Sequence, residues 1–160
     1  MIRRLLKIAL SVSLGLILLL AASGNVLDYD ANFEAVQHIL SMDMTPPGPL
    51  KWRAITSPTL HHLVYLFIIV TEFASSALIF YGALILWRAR AAEAAVFNAA
   101  KDWVIGGLGL GLLLYVFGFM AIGGEWFQMW RAGVYNMQEP AFRFIGTVGL
   151  AMVFISLDDR

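Results

Sequence analysis

Cysteine is absent from the 160 residues, and charge is scarce, with only 14% Asp, Glu, Lys and Arg. Without thiols, disulfides, thiolate metal sites, iron–sulfur clusters and cysteine nucleophiles are excluded. His38, His61 and His62 are the three imidazoles available to a metal or haem. Eleven basic residues balance eleven acidic ones. No basic excess exists to neutralise phosphates, which counts against a nucleic-acid partner. Proline is limited to Pro46, Pro47, Pro49, Pro58 and Pro140. All five lie outside the long apolar runs, where helix punctuation belongs.

What the chain has in abundance is apolar surface: 60% of its residues are hydrophobic and its mean hydropathy is +0.76. A soluble domain is about 45–50% apolar and about 25% charged, so the expected solvent is lipid. Four runs carry the hydrophobicity, near residues 5–22, 63–87, 103–123 and 141–157. A bilayer core about 30 Å thick takes roughly 20 helical residues, and none of the runs alternates as a barrel strand must. The expected fold is an all-α membrane protein, a four-helix transmembrane bundle forming one domain over residues 1–160. A long outer loop, residues 24–62, joins the first two spans.

Lys and Arg bias sets the expected orientation. With the N-terminus inside, the inner flanks hold Arg3, Arg4, Lys7, Arg88, Arg90, Lys101 and Arg160, against Lys51, Arg53, Arg131 and Arg143 outside. Both termini are therefore expected to be cytoplasmic. The basic start and the Ala21-Ala22-Ser23-Gly24 stretch also fit a cleaved secretory signal. An uncleaved span is preferred because the run is long and Asn25 to Tyr29 reads as a membrane exit. Trp52, Trp87, Trp103, Trp126 and Trp130 all fall at predicted boundaries, where indole rings favour the headgroup layer.

Helices in lipid approach through small residues. Gly107, Gly111 and Gly118 share one face of the third span, while Ser75, Ser76 and Ala83 of the second and Gly146 and Gly149 of the fourth offer further contact points. A compact bundle is the expected use of these residues, with a homodimer face as the alternative. The alanine-rich inner connection from Arg88 to Asp102 is expected to form a helical hairpin extending both spans.

The outer connection carries most of the chemistry. Phe33, Val36, Ile39 and Leu40 recur at helical spacing, which predicts a short amphipathic helix on the membrane surface. Thr56-Ser57-Pro58 then supplies a helix start. Eleven residues beyond His61 lies Glu72, the one acidic residue deep in a span. His61, Tyr65, Ile68 and Glu72 share a helix face, with Glu72 about 16 Å deeper than His61. An ionisable residue at that depth is a functional-site candidate, and Thr71, Ser75, Tyr115 and Arg143 are its candidate partners. Its uses range from an interhelical clamp to proton, cation or quinone-headgroup contact. Adjacent His61 and His62 point about 100° apart and cannot both ligate one metal. With His38 on the surface segment, two axial haem ligands facing each other inside the bilayer are not evident, so no cofactor is assigned. Glu125 is expected to pair with Arg53 or Arg143. The candidate polar cluster is thus Glu72, His61, His62, Arg53, Glu125, Arg143 and His38. No catalytic triad, paired carboxylates or metalloprotease helix appears, and no enzymatic activity is expected.

Several segments are familiar together. Asn25-Val26-Leu27-Asp28-Tyr29 with Asn32-Phe33 and His38, and Trp52-Arg53-Ala54-Ile55-Thr56-Ser57-Pro58 with His61-His62, resemble a bacterial family of small integral membrane proteins, domain of unknown function 2165. Trp87-Arg88-Ala89-Arg90, Gly123-Gly124-Glu125-Trp126-Phe127 and Ala141-Phe142-Arg143-Phe144 fit the same resemblance. It spans nearly the whole chain and implies four spans in a bacterial inner membrane, but no activity. Two expectations of function follow. The first is a non-catalytic accessory or assembly subunit of a membrane complex, partnered by other membrane proteins or by a second copy of itself. The second is a small carrier or binding protein for protons, a cation or a lipophilic ligand at Glu72.

Overall fold

The computed structural model describes residues 1–159; Arg160, one of the cations counted on the inner flanks, lies outside the described residues. The helices are α1 (Ile2–Leu27), α2 (Tyr29–Ser41), α3 (Pro58–Arg88), α4 (Ala94–Ala99), α5 (Asp102–Leu113) and α6 (Gln138–Ser156). Beyond α5 the chain continues without a break as a π-helix from Leu114 to Trp126. Four helical stretches are long and apolar enough to cross a membrane: Ile2–Leu27, Pro58–Arg88, Ala94–Trp126 and Gly133–Ser156. Among the described residues there is no strand. The protein is an all-α membrane bundle.

Each spanning helix begins before its apolar run, and the first three also end beyond it. Bilayer thickness limits the run, whereas the helix continues until its backbone finds a cap. At α3 the helix starts on Pro58 behind Ser57, although the Ser57 hydroxyl makes no capping bond. Ala21 to Gly24, which also reads as a cleavage site, lies within α1.

The central helix is α3, with α1 on one side and α5 on the other. Close approach of α3 and α5 depends on Gly107 and Gly82. A Cβ at Gly107 would lie 2.7 Å from Ile79 Cγ1 and 2.9 Å from the Ser75 carbonyl oxygen, and one at Gly82 would lie 2.6 Å from the Val104 nitrogen. The Ser75 hydroxyl uses this proximity to donate to the Gly107 carbonyl at 2.6 Å, and Ser76 donates to the Gly15 carbonyl of α1 at 2.8 Å. Gly111 also meets Ser75, as its face predicts. Gly118 departs from that expectation: the nearest atom to its Cβ position is Leu114 of its own helix, at 3.6 Å. The π-helical turns have rotated it out of the α-helical register. Gly146 and Gly149 have open space instead of a neighbouring helix.

The start of α1, the segment after α6 up to Asp159 and the connection from α3 to α5 gather at one end of the bundle. Lys7 of α1, 2% exposed, donates to the Leu157 carbonyl and to Asp159 at 2.7 Å. Lys101 reaches the same carbonyl at 2.6 Å and the same carboxylate at 3.1 Å. Burial works against ionisation of Asp159, but the hydrogen bonds and charges of the two lysines hold its carboxyl below the usual range. The connection is not the expected continuous hairpin: α3 stops at Arg88, a turn intervenes, and only Ala94–Ala99 forms a short helix before α5. The turn leaves the carbonyls of Arg90 and Ala92 free to accept from the Arg4 guanidinium at 3.1 and 2.6 Å.

The opposite end holds α2 and the 3₁₀ turns. α2 follows α1 after a break at Asp28 (φ −120°, ψ 57°). Its apolar face does not lie on lipid alone, as an interfacial helix would. Ile39 and Leu40 are buried with Met42, Phe127 and Met129, so α2 closes over the end of the bundle. α2, part of the long connection from α1 to α3, covers apolar surface at this end.

Gly107→Ala is expected to destabilise the protein by about 1–3 kcal/mol through overpacking. At Gly109, where a Cβ meets nothing within 4 Å, alanine should be neutral or stabilise by up to about 1 kcal/mol. Unfolding in a titrated detergent mixture would measure both. Asp159→Asn leaves two buried ammonium groups without a counter-charge and should cost about 3 kcal/mol. Because the folded carboxyl titrates below its unfolded value, its stabilisation is complete above the usual carboxylate range. It is lost as pH falls through the depressed value. Acid titration of wild type and Asp159→Asn should therefore differ at neutral pH and converge at the acid limit.

Candidate functional site

Glu72 lies mid-way along α3, on the same buried face as His61 and Tyr65. It is 2% exposed. Two neutral donors satisfy its carboxylate. Asn25 Nδ2, near the end of α1, donates to Oε2 at 2.9 Å. The Tyr115 hydroxyl, on the first π-helical turn, donates to Oε1 at 2.8 Å. The Tyr65 hydroxyl donates to the Asn25 backbone carbonyl at 2.9 Å, which fixes the end of α1 against α3. Tyr115 is held by stacking between Phe144 (centroids 4.0 Å) and Phe119 (4.9 Å). Two segments distant in sequence from α3 therefore converge on its one buried carboxylate.

Of the partners expected for Glu72, Tyr115 is the one found. Thr71 donates to the Phe67 carbonyl of its own helix at 2.7 Å, and Ser75 is committed to Gly107. Arg143 is exposed and approaches only Glu139, at 4.0 Å. Asn25 read in sequence as part of a membrane exit. The antiparallel packing of α1 on α3 instead brings its amide level with Glu72. A lone asparagine at the polar end of an apolar run was the available signal.

Beside this carboxylate is an open-sided cavity of about 710 Å³ between α1 and α6, beneath α2. Apolar side chains form its walls, among them Ile17, Ile68, Phe119 and Phe144. Glu72, Asn25, Tyr65 and Tyr115 lie on its inner surface, while Arg143, Asn32 and Thr147 stand toward its exposed rim. The helices that flank it touch each other little. At the far end Lys7 of α1 pairs with Asp159 in the segment after α6.

The remaining residues of the expected cluster take separate partners. His61 is 4% exposed, and its Nε2–H donates to the Ile55 carbonyl at 2.7 Å. That bond pins the segment before α3 and fixes the protonated nitrogen of the ring. His62 faces away and is exposed. It stacks on Phe33 with centroids 4.1 Å apart, and its Nδ1 shares a hydrogen bond of 2.8 Å with the Tyr29 hydroxyl. His38 donates from Nδ1 to both oxygens of Asp43 at 2.8 and 2.9 Å and stacks on Tyr135. Partial burial opposes ionisation of Asp43, yet the His38 bond and charge bring its carboxyl below the ordinary value. Among the described residues no three His, Asp or Glu side chains converge on a metal-sized site.

The expected pairing of Glu125 with Arg53 or Arg143 does not form. Glu125 is exposed and makes no ion pair among the described residues. Arg53 lies over the Trp126 ring, 4.4 Å from its centroid, and donates to the Trp126 carbonyl at 3.3 Å. On the last turn of the π-helix Glu125 faces outward while its indole neighbour Trp126 receives the guanidinium. Cation–π contact replaces the ion pair.

Tyr115→Phe removes one donor from a buried carboxylate and should lower stability by about 1–3 kcal/mol. Arg143→Gln, at an exposed pair, should change it by less than about 1 kcal/mol. Melting temperatures of the two variants in detergent micelles would test this division.

The chain matches, over residues 3–158, the family described as predicted small integral membrane protein (DUF2165), and it belongs to that family. No curated protein and no solved structure matches it.

Proposed function

We propose that this member of the DUF2165 family is a non-catalytic binding protein for a lipophilic molecule that carries a hydrogen-bond-donating or cationic group. The observation behind this reading is the cavity of about 710 Å³ that Glu72 lines among apolar walls. Of the two functions expected from sequence, this one has a specific site behind it. A carboxylate has about four acceptor positions, and Asn25 and Tyr115 supply one donor to each oxygen. Acceptor capacity is left for a group arriving through the cavity. In a desolvated site such a bond is strong, and an unmatched polar group is costly. The walls suit the hydrocarbon or ring body of the same ligand, because small-molecule sites are mostly apolar with few placed polar groups.

The reading includes an orientation. The end carrying Arg3, Arg4, Lys7, Arg88, Arg90 and Lys101 is assigned to the cytoplasm by the Lys and Arg bias, with α2 on the outer face of a bacterial inner membrane. The cavity then opens in the outer half of the bilayer, where a lipophile reaches it laterally.

The test is purification of the full chain from its own membranes in mild detergent, followed by native mass spectrometry and extraction of bound lipophiles. Wild type should retain one small species per chain. Glu72→Gln should lower its occupancy about tenfold, the loss of one charge-assisted hydrogen bond. Thr147→Trp, at the exposed rim, should block the cavity and abolish retention. A chain that carries no lipophile, or variants that retain it unchanged, would overturn the proposal. A stoichiometric protein partner with an empty cavity would favour the accessory-subunit function instead.

A further inference from the structure

A second cleft, of about 470 Å³, opens at the opposite end of the bundle between the start of α1 and the turn after α3. Its charged lining is Arg3, Arg4, Arg90 and Asp159. The charge around it is unbalanced. Asp159 already accepts from Lys7 at 2.7 Å and lies 3.1 Å from Lys101, and both lysines are 2% exposed. Arg4 Nε reaches the same carboxylate only at 3.9 Å. Among the described residues, the lining carries three guanidinium groups and one carboxylate, and Lys7 and Lys101 already engage that carboxylate.

Two of the guanidinium groups in the cleft, those of Arg4 and Arg90, are positioned by neutral acceptors. Arg4 is fixed by the carbonyls of Arg90 and Ala92. Arg90 donates to the Trp87 carbonyl at 2.8 Å and lies 4.3 Å over the Trp87 ring. Carbonyls and an indole face orient the planar forks without cancelling their charge. A fork held in this way keeps donors free for a tetrahedral oxyanion. Trp87 and Trp103 stand at this end of their helices and are half exposed, as residues of the headgroup layer are.

We infer that this cleft binds a phosphate group, supplied by the headgroup of an anionic phospholipid. Arg3 and Arg90 contact the phosphate oxygens, and Arg4 holds the floor between the Arg90 turn and Asp159. The bound anion offsets the surplus charge and ties α1 to the turn after α3. Basic pockets between spanning helices bind anionic headgroups in the same way. This site is independent of the Glu72 cavity, so the failure of either leaves the other standing.

The experiment uses the full-length protein in detergent, titrated with phosphatidylglycerol, phosphatidylcholine or inorganic phosphate and read by native mass spectrometry. Phosphatidylglycerol should be retained in preference to phosphatidylcholine. Each arginine contributes about fivefold at such a surface, so Arg3→Gln with Arg90→Gln should lower retention about 25-fold. Both side chains lie outside the packed core, and circular dichroism checks that the variant keeps its helices. Arg143→Gln, at the other end, should leave retention unchanged. Binding of inorganic phosphate that competes with the lipid and is lost in the double variant would support the site with a soluble source. Equal retention of the two lipids with no phosphate binding would overturn the inference. So would a double variant that keeps full retention.

Discussion

A carboxylate in the hydrocarbon layer is costly unless its oxygens are satisfied, and the arrangement of this bundle follows from how Glu72 meets that demand. The two donors come from Asn25 at the end of α1 and Tyr115 at the start of the π-helix. Neither segment neighbours α3 in sequence, so a local need sets a global arrangement. Van der Waals packing in lipid tolerates sliding and rotation, because lipid tails are as apolar as the helices. A buried carboxylate with two aimed donors tolerates much less. It sets the level of α1 on α3 and the rotation of the third span about its axis. The Tyr65 bond to the Asn25 carbonyl fixes the same junction.

The far end is held by a different device. Lys7, Lys101 and Asp159 join α1, the start of α5 and the segment after α6 through one carboxylate and the Leu157 carbonyl. Between the two polar anchors, packing is carried by small residues. Gly82 and Gly107 bring α3 and α5 close enough for the Ser75 hydroxyl to reach a backbone carbonyl. Where no such pairing exists, between α1 and α6 on the α2 side, the helices stand apart and the cavity results. The cavity is thus bounded by one anchor, Glu72, and lies away from the other.

Much of this was legible in the sequence. Apolar runs give the spans directly, because bilayer thickness and helix rise fix their length. The shared face of His61, Tyr65 and Glu72 follows from helical geometry alone, and burial of His61 beside exposed His62 follows from the same angle. Partner identity was harder to read. Arg143 and Tyr115 both stood as candidates for Glu72, and only three-dimensional packing separates an arginine at an exposed rim from a tyrosine stacked inside. The role of Asn25 is not legible in sequence, because residue type at a span boundary reports the interface, whereas its partner depends on which helix lies antiparallel to it. The pairing of Glu125 failed for a similar reason: sequence places charges in the same layer but leaves their direction open.

The π-helix from Leu114 to Trp126 is the feature with least warning in the sequence, and it bears most directly on the site. Its hydrogen bonds run from residue i+5 to residue i, as the Phe127 amide to the Ile122 carbonyl at 3.0 Å shows at its end. In lipid this matters, because a backbone group left unsatisfied costs several kcal/mol. A π segment changes helical register while keeping the backbone paired. Such segments are rare and frequently accompany functional sites. Here the change begins one residue before Tyr115, the donor to Glu72. The altered register stacks Tyr115 on Phe119 and Phe144, and it turns Gly118 away from the α3 face that Gly107 and Gly111 occupy. An α-helix continued from Leu113 would keep Gly118 in line with those glycines and pack the third span evenly along α3. The wider turns give up that even packing, and they put an oriented hydroxyl beside the cavity.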